Sequence, residues 1–389
     1  MRISARQRRA RLGSRHRLAA RAATPEAAAA SVVALHGTDP ATVFLSAGAR
    51  LLTPGPEPVE RALYEDRTLV RMTGMRRTVF VVPVELVPVV HHSSMAAIAR
   101  RERASMLKTF GPGGWDEARL KDVEASVLEL LAEAGEATAA ELGALEPRLR
   151  EQVRVGVGKP YEGLVSVGSR LLNLMAMDGL LVRRGRAGGT WINGQHRWAL
   201  APEPTELAPS EARAELVRRW LAAFGPGTEA DLKWWTGWTL KDVRGALAAV
   251  GAVEVELGED AGVGYVLPDD LEEVAEPEPW AALLPALDPT PMGWQARDWY
   301  LPPAHRAELF DRSGNVGPTV WWDGQVVGGW AQRAGTGEIV WRLLTDVGAE
   351  ARAAIEAEAA GLAAWLGGVT VTPRFRTPLE RALSAAPPA

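Results

Sequence analysis

The sequence predicts an α+β chain of three tandem helical units, each closed by a hairpin, followed by a β-rich C-terminal domain. Three observations carry this. Residues 131–142 (LAEAGEATAAEL) and 221–232 (LAAFGPGTEADL) match without a gap in glycine, capping threonine, acid and leucine. In each copy an amphipathic helix ends at a glycine (Gly135, Gly225), a threonine (Thr138, Thr228) starts a short helix, and an acid three residues later completes a capping-box pattern. A third helical stretch and a strand-turn-strand segment follow each time, the order of a winged helix, which presents one helix to a groove of DNA.

The first unit, residues 1–110, is a less regular copy. Thr24-Pro25-Glu26 and Asp39-Pro40 are helix starts with proline at the first helical position. A third helix is expected from Pro58 to about Asp66, then a hairpin from Leu69 to Val82 with Thr73-Gly74 near its tip. Arg71, Arg76 and Arg77 surround that tip and make it a basic wing. A long helix is expected over 84–108, up to the glycine-proline break at 111–114.

The second unit, 116–205, has helices expected near 118–134, 138–145 and 164–177 and a hairpin over 180–200. About 18 residues separate its second and third helices, where a compact winged helix needs only a short turn. This insertion carries Arg154 and Lys159, with Tyr161 beside Pro160. The third unit, 206–270, is tighter, with helices near 210–223, 228–235 and 239–249 and strands at 252–257 and 263–267. From 275 to 389 the pattern turns to strands, near 283–287, 319–327 and 338–344, with Asp323-Gly324 as a hairpin signal and an amphipathic helix over 349–366. Tryptophans gather in this half, and packing accounts for them better than a base-stacking platform does.

A length of 389 residues fits two to four domains, and 47% hydrophobic content suffices for a sizeable core. There is no cysteine, so disulfides and thiolate metal sites are excluded and a reducing cytoplasm fits best. No apolar run is long enough to span a bilayer. The net charge of −4 conceals an uneven distribution: eight arginines, Arg9 and Arg11 among them, precede the first acid, Glu26. An acid-free arm of this kind also resembles an organellar transit peptide, but it runs into a structured segment without a cleavage-like break. No histidine pair has the spacing of a zinc helix, so no metal is expected, and the Gly158-Lys159 loop lacks the Walker spacing, so no nucleotide or other cofactor is expected either.

His36-Gly37-Thr38-Asp39-Pro40 is the one dense polar cluster in an apolar, alanine-rich setting. Its plain structural account is a helix cap at Asp39, a tight turn at Gly37 and a hydrogen-bonded core histidine. Its functional account is that His36 and a neighbouring oxygen hold a water or stabilise positive charge.

Together, the three units, the arginine-rich start, this polar turn, the basic hairpin Met75-Arg76-Arg77-Thr78, the Gly158-Lys159-Pro160 loop and the segment 284–289 (LPALDP) resemble the winged-helix DNA glycosylase family, the AlkZ/YcaQ-like proteins. The resemblance covers nearly the whole chain. It implies excision of alkylated bases, notably N7-alkylguanines and cross-links, by a Gln-x-Gln or Gln-x-Asp motif in the first unit. Here His36-Gly37-Thr38 stands at that place and both glutamines are absent. The expectation is a monomeric, nucleoid-associated protein on double-stranded DNA, with His36, Thr38 and Asp39 as catalytic candidates. Arg9, Arg11, Arg71, Arg76, Arg77, Arg154 and Lys159 are the expected phosphate contacts. The alternatives from other classes are a non-catalytic regulator or damage-recognition protein, and units that serve protein–protein contacts.

Overall fold

A computed structural model describes residues 1–160, 162–203, 205–258 and 262–385. The capping signals become helices where expected. Thr138 and Glu141 form a reciprocal capping box at the start of Ala139–Leu145, and Thr228 and Asp231 form the same box at Glu229–Thr236. The two matched copies differ at their glycines. Gly135 ends Glu117–Ala134 in a left-handed conformation (φ 74°), whereas Gly225 leaves Pro209–Phe224 extended (φ −65°) because Pro226 follows it.

Helix–helix–helix–hairpin order is present over Glu117–Leu200, with helices Glu117–Ala134, Ala139–Leu145 and Val167–Met177 and strands Leu181–Arg186 and His196–Leu200. It recurs over Pro209–Val266, where helices Pro209–Phe224, Glu229–Thr236 and Leu240–Ala249 precede strands Val253–Leu257 and Val263–Val266. In the first segment short helices Pro25–Ala30, Pro40–Gly48 and Pro56–Glu60 precede the strands Leu69–Thr73 and Val79–Pro83. Proline at the first or second position supplies the preset φ that starts each of the three.

The hairpins do not stand alone. A six-stranded sheet runs, in spatial order, Leu35–His36, Val79–Pro83, Leu69–Thr73, Leu181–Arg186, His196–Leu200 and Glu136–Ala137. It therefore fuses the first and second segments through a single cross-strand pair, Arg71 opposite Arg183. The long segment between the second and third helices, expected as a loop, forms its own hairpin, Gln152–Val155 with Gly163–Ser166. Tyr161 lies outside the described residues.

At the N-terminus, Arg2–Ile3 pairs in parallel with Glu256–Leu257, and the helix Ala5–Arg15 inserts among the later elements. The C-terminal part holds a four-stranded meander, Ala281–Leu284, Thr319–Trp322, Gln325–Gln332 and Ile339–Leu343. Asp323 and Gly324, both at positive φ, make its tight turn. The helix Gly348–Leu366 covers one side through Ile355 and Ala359 on Leu283, Val320 and Trp330. A second helix, Pro378–Ala385, was not anticipated from the sequence and packs Leu379 against the meander at Gly329. Trp220, Trp294, Trp321 and Trp330 are all buried, so the tryptophan-rich half builds core. Among the described residues no helix is long and apolar enough to cross a membrane.

Candidate active site

Leu35–His36 is an edge strand paired with Phe80 and Val81, and the chain leaves it through the polar turn. Gly37 donates its N–H to the Val79 carbonyl at 2.7 Å, and a Cβ there would lie 3.3 Å from both the Val79 oxygen and the Phe80 carbonyl carbon. Glycine is what lets the turn hug the neighbouring strand.

Asp39 is 8% exposed and caps Pro40–Gly48. Its Oδ1 accepts from the Ala41 N–H at 3.2 Å and its Oδ2 from the Arg374 N–H at 3.0 Å. Arg374 also donates from Nη1 to the Thr38 carbonyl at 3.3 Å, so a loop from the far end of the chain braces the turn. Both Asp39 oxygens are thus engaged by backbone donors.

The His36 ring meets Phe80 edge to face, centroids 5.7 Å apart, and Nδ1 faces the Thr38 N–H at 3.5 Å. Burial, reinforced by the positive charge of Arg76, lowers its pKa to about 4. At neutral pH it is an uncharged imidazole.

Behind the turn is a buried polar network. Arg50 binds Asp288 with two parallel hydrogen bonds of 2.8 Å, and both residues are fully buried. Arg50 also donates to Thr290 at 2.7 Å, Thr290 meets His16 Nδ1 at 2.9 Å, and His16 Nε2 meets the Ala223 carbonyl at 3.1 Å. Burial would raise the Asp288 carboxyl, yet the charge and hydrogen bonds of Arg50 hold it below the usual carboxylate range. Thr42 of the capped helix donates to the Ala286 carbonyl at 3.0 Å. The 284–289 segment is therefore the rear support of the turn.

The arginines fall into two groups. The expectation for the N-terminal arm needs correction: Arg11 is 1% exposed, pairs with Asp270 at 2.6 Å and donates to the Glu272 carbonyl at 2.7 Å. Arg9 donates to the Trp299 carbonyl at 3.0 Å. Both guanidinium groups tie the N-terminal helix to later parts of the chain; Arg11 is withdrawn from solvent and Arg9 is half-buried.

The wing residues behave differently. Arg76 and Arg77 occupy the hairpin tip at positive φ, Arg76 lies 4.5 Å over the Trp234 ring, and Arg77 pairs with Glu102 at 3.1 Å while staying mostly exposed. Arg297 shares the Trp234 ring at 4.8 Å. Arg71 lies in the sheet beside Arg183. Arg154 is exposed and paired with Glu162 at 2.9 Å within its own hairpin, and Lys159 is exposed.

The model of the AlkZ-like DNA glycosylases matches residues 29–365. The chain belongs to the AlkZ-like DNA glycosylase family. Among solved structures, DNA glycosylase AlkZ of Streptomyces sahachiroi is similar with a TM-score of 0.73 at 22% identity, over 96% of this chain and all of that one. No curated protein matches the sequence. A DNA glycosylase-like, DNA-binding role in DNA repair is what this membership supports.

Sequence reasoning singled out neither Arg183, Trp234 and Arg297 nor the Arg50–Asp288 pair. The 284–289 segment was a marker of resemblance only. Its signal was present: an aspartate embedded in an apolar run is costly to bury without a cationic partner.

Proposed function

We propose that the chain is a monofunctional glycosylase that hydrolyses the N-glycosidic bond of alkylated purines in double-stranded DNA, acting as a monomer, with His36 and Thr38 at the reacting centre. The observation that carries this reading is a polar turn capped at Asp39 and braced by Arg374, in the first unit, where the resemblance implies the catalytic motif. An N7-alkylpurine is already cationic. As its glycosidic bond breaks, the electron pair returns to the base, which departs neutral, so no acid is needed for the leaving group. The sugar becomes oxocarbenium-like, and water adds at the anomeric carbon and then gives its proton to solvent. What remains for the protein is to place that water and hold the sugar. A neutral imidazole suits the task, because a charged one would repel the developing cation. Asp39 serves by fixing the turn.

The test is incubation with duplex containing N7-methylguanine. Free base released by the wild type and strongly reduced by His36→Ala supports the proposal; no release by the wild type overturns it.

A second reading, a non-catalytic binder of DNA, is favoured by one observation: the only carboxylate in the turn is committed to backbone donors. Mobility-shift assays with random, promoter and alkylated duplexes separate the two. A regulator prefers one sequence, and a glycosylase responds to the lesion.

A further inference from the structure

The single pair that joins the two halves of the six-stranded sheet places two cations side by side. Arg71 and Arg183 are direct cross-strand partners, so their side chains project from the same face at neighbouring positions. Like charges directly opposite each other destabilise a sheet, and this pair is also largely withdrawn from water. Arg71 Nε and Nη2 are sealed from solvent and meet no hydrogen-bond partner among the described residues. Arg183 donates to a neutral acceptor, Asn173 Oδ1, at 2.6 Å and lies over the Trp198 ring at 5.0 Å. His196 packs edge to face on the same tryptophan, centroids 4.6 Å apart, and its Nε2 is buried without a partner.

Two of the acids nearby are committed elsewhere. Glu60 is ion-paired with Arg186, and the oxygens of Asp39 go to Ala41 and Arg374. Burial and Arg71 lower Arg183 to about 10, and burial and Arg183 lower His196 to about 4, as expected of a site short of negative charge. Arg71 and Arg183 also line a cavity of about 410 Å³, together with Arg67, Arg184 and one carboxylate, Glu203.

We propose that Arg71 and Arg183 form a seat for one phosphate group at the seam of the sheet. A phosphate supplies acceptor oxygens for unsatisfied guanidinium donors in the geometry that arginine matches best, and its charge offsets the repulsion across the strands. The source is either a backbone phosphate of DNA or free phosphate. Only the first source rests on the DNA reading; the seat itself does not depend on base release.

Thermal melting with inorganic phosphate against chloride at equal ionic strength tests the seat. Phosphate at about ten times its dissociation constant raises the wild-type Tm by about 2 °C over chloride. Arg183→Met melts higher than wild type in chloride, because the repulsion is gone, and loses the phosphate increment. Arg71→Gln, checked for native circular dichroism, loses it as well. An equal Tm in the two salts, or an increment that persists in both variants, overturns the proposal. Binding to a 20-base-pair duplex identifies the source. If a backbone phosphate fills the seat, Arg183→Met weakens binding roughly tenfold and reduces the slope of log affinity against log salt by about one. Unchanged duplex binding with a lost phosphate increment assigns the seat to free phosphate.

Discussion

Asp39 and His36 sit three residues apart and use their chemistry in opposite ways. Asp39 spends both oxygens on the Ala41 and Arg374 amides, whereas among the described residues the His36 ring has only the long Thr38 hydrogen bond at 3.5 Å and is left uncharged. Substitutions should separate bracing from chemistry. Asp39→Asn keeps an oxygen for the cap and should retain base release within a few-fold, while His36→Ala should lower it by about 10². Single-turnover rates on N7-methylguanine duplex read both. The pH dependence follows from the same values. His36 gains a proton only as pH falls through about 4, so the rate should show no inflection near 6.5 between pH 5 and 8. An inflection there would mean that the histidine titrates unperturbed and acts as a base.

The two matched capping boxes look alike in sequence and differ in what they hold. Thr138 and Glu141 satisfy one another's backbone at an exposed helix start, where Glu141 also pairs with Arg197 at 3.0 Å. Asp231 is fully buried and, besides its cap, accepts the Gln295 and Ala296 N–H groups at 2.8 and 3.0 Å through Oδ1. Thr138→Ala should therefore cost about 1 kcal/mol, and Asp231→Ala about 3 kcal/mol or more, since it strands two further donors. Urea denaturation of the two variants measures the difference. Elements of this kind were legible because their signals are local: proline after a cap at Pro25 and Pro40, the matched boxes, and Asp323-Gly324 all specify backbone within a few residues. The cap at Asp39 was legible too. What Asp39 binds from residue 374, and which strand Arg71 faces, was not, because pairing between segments more than a hundred residues apart leaves no local trace. For the same reason the arginine-rich N-terminus read as a free arm. Its partners at Asp270, Glu272 and Trp299 are visible only once the chain has closed on itself.

Across the whole molecule, closure depends on buried groups that must stay uncharged or paired. The chain from Arg50 through Thr290 to His16 ties the capped helix, the 284–289 segment, the N-terminal helix and the end of Pro209–Phe224 into one unit. Arg50→Met should destabilise by about 3–5 kcal/mol, because it leaves Asp288 buried without its partner, and a second change, Asp288→Leu, should recover part of the loss. The histidines add a pH dependence. His16 is lowered to about 3 by burial and by Arg50, and His36 and His196 to about 4, chiefly by burial. In the unfolded chain each binds a proton near pH 6.5, so between about 4 and 6.5 the unfolded state holds up to three more protons than the native state. Stability therefore rises with pH through that window and is lost as pH falls from 6.5 toward 4, by up to about 1.4 kcal/mol per pH unit for each histidine. Denaturation at intervals from pH 7.5 to 4.5 should show this slope, and His16→Gln should reduce it by one proton. A stability that stays level across the window would mean that these rings take up protons without unfolding.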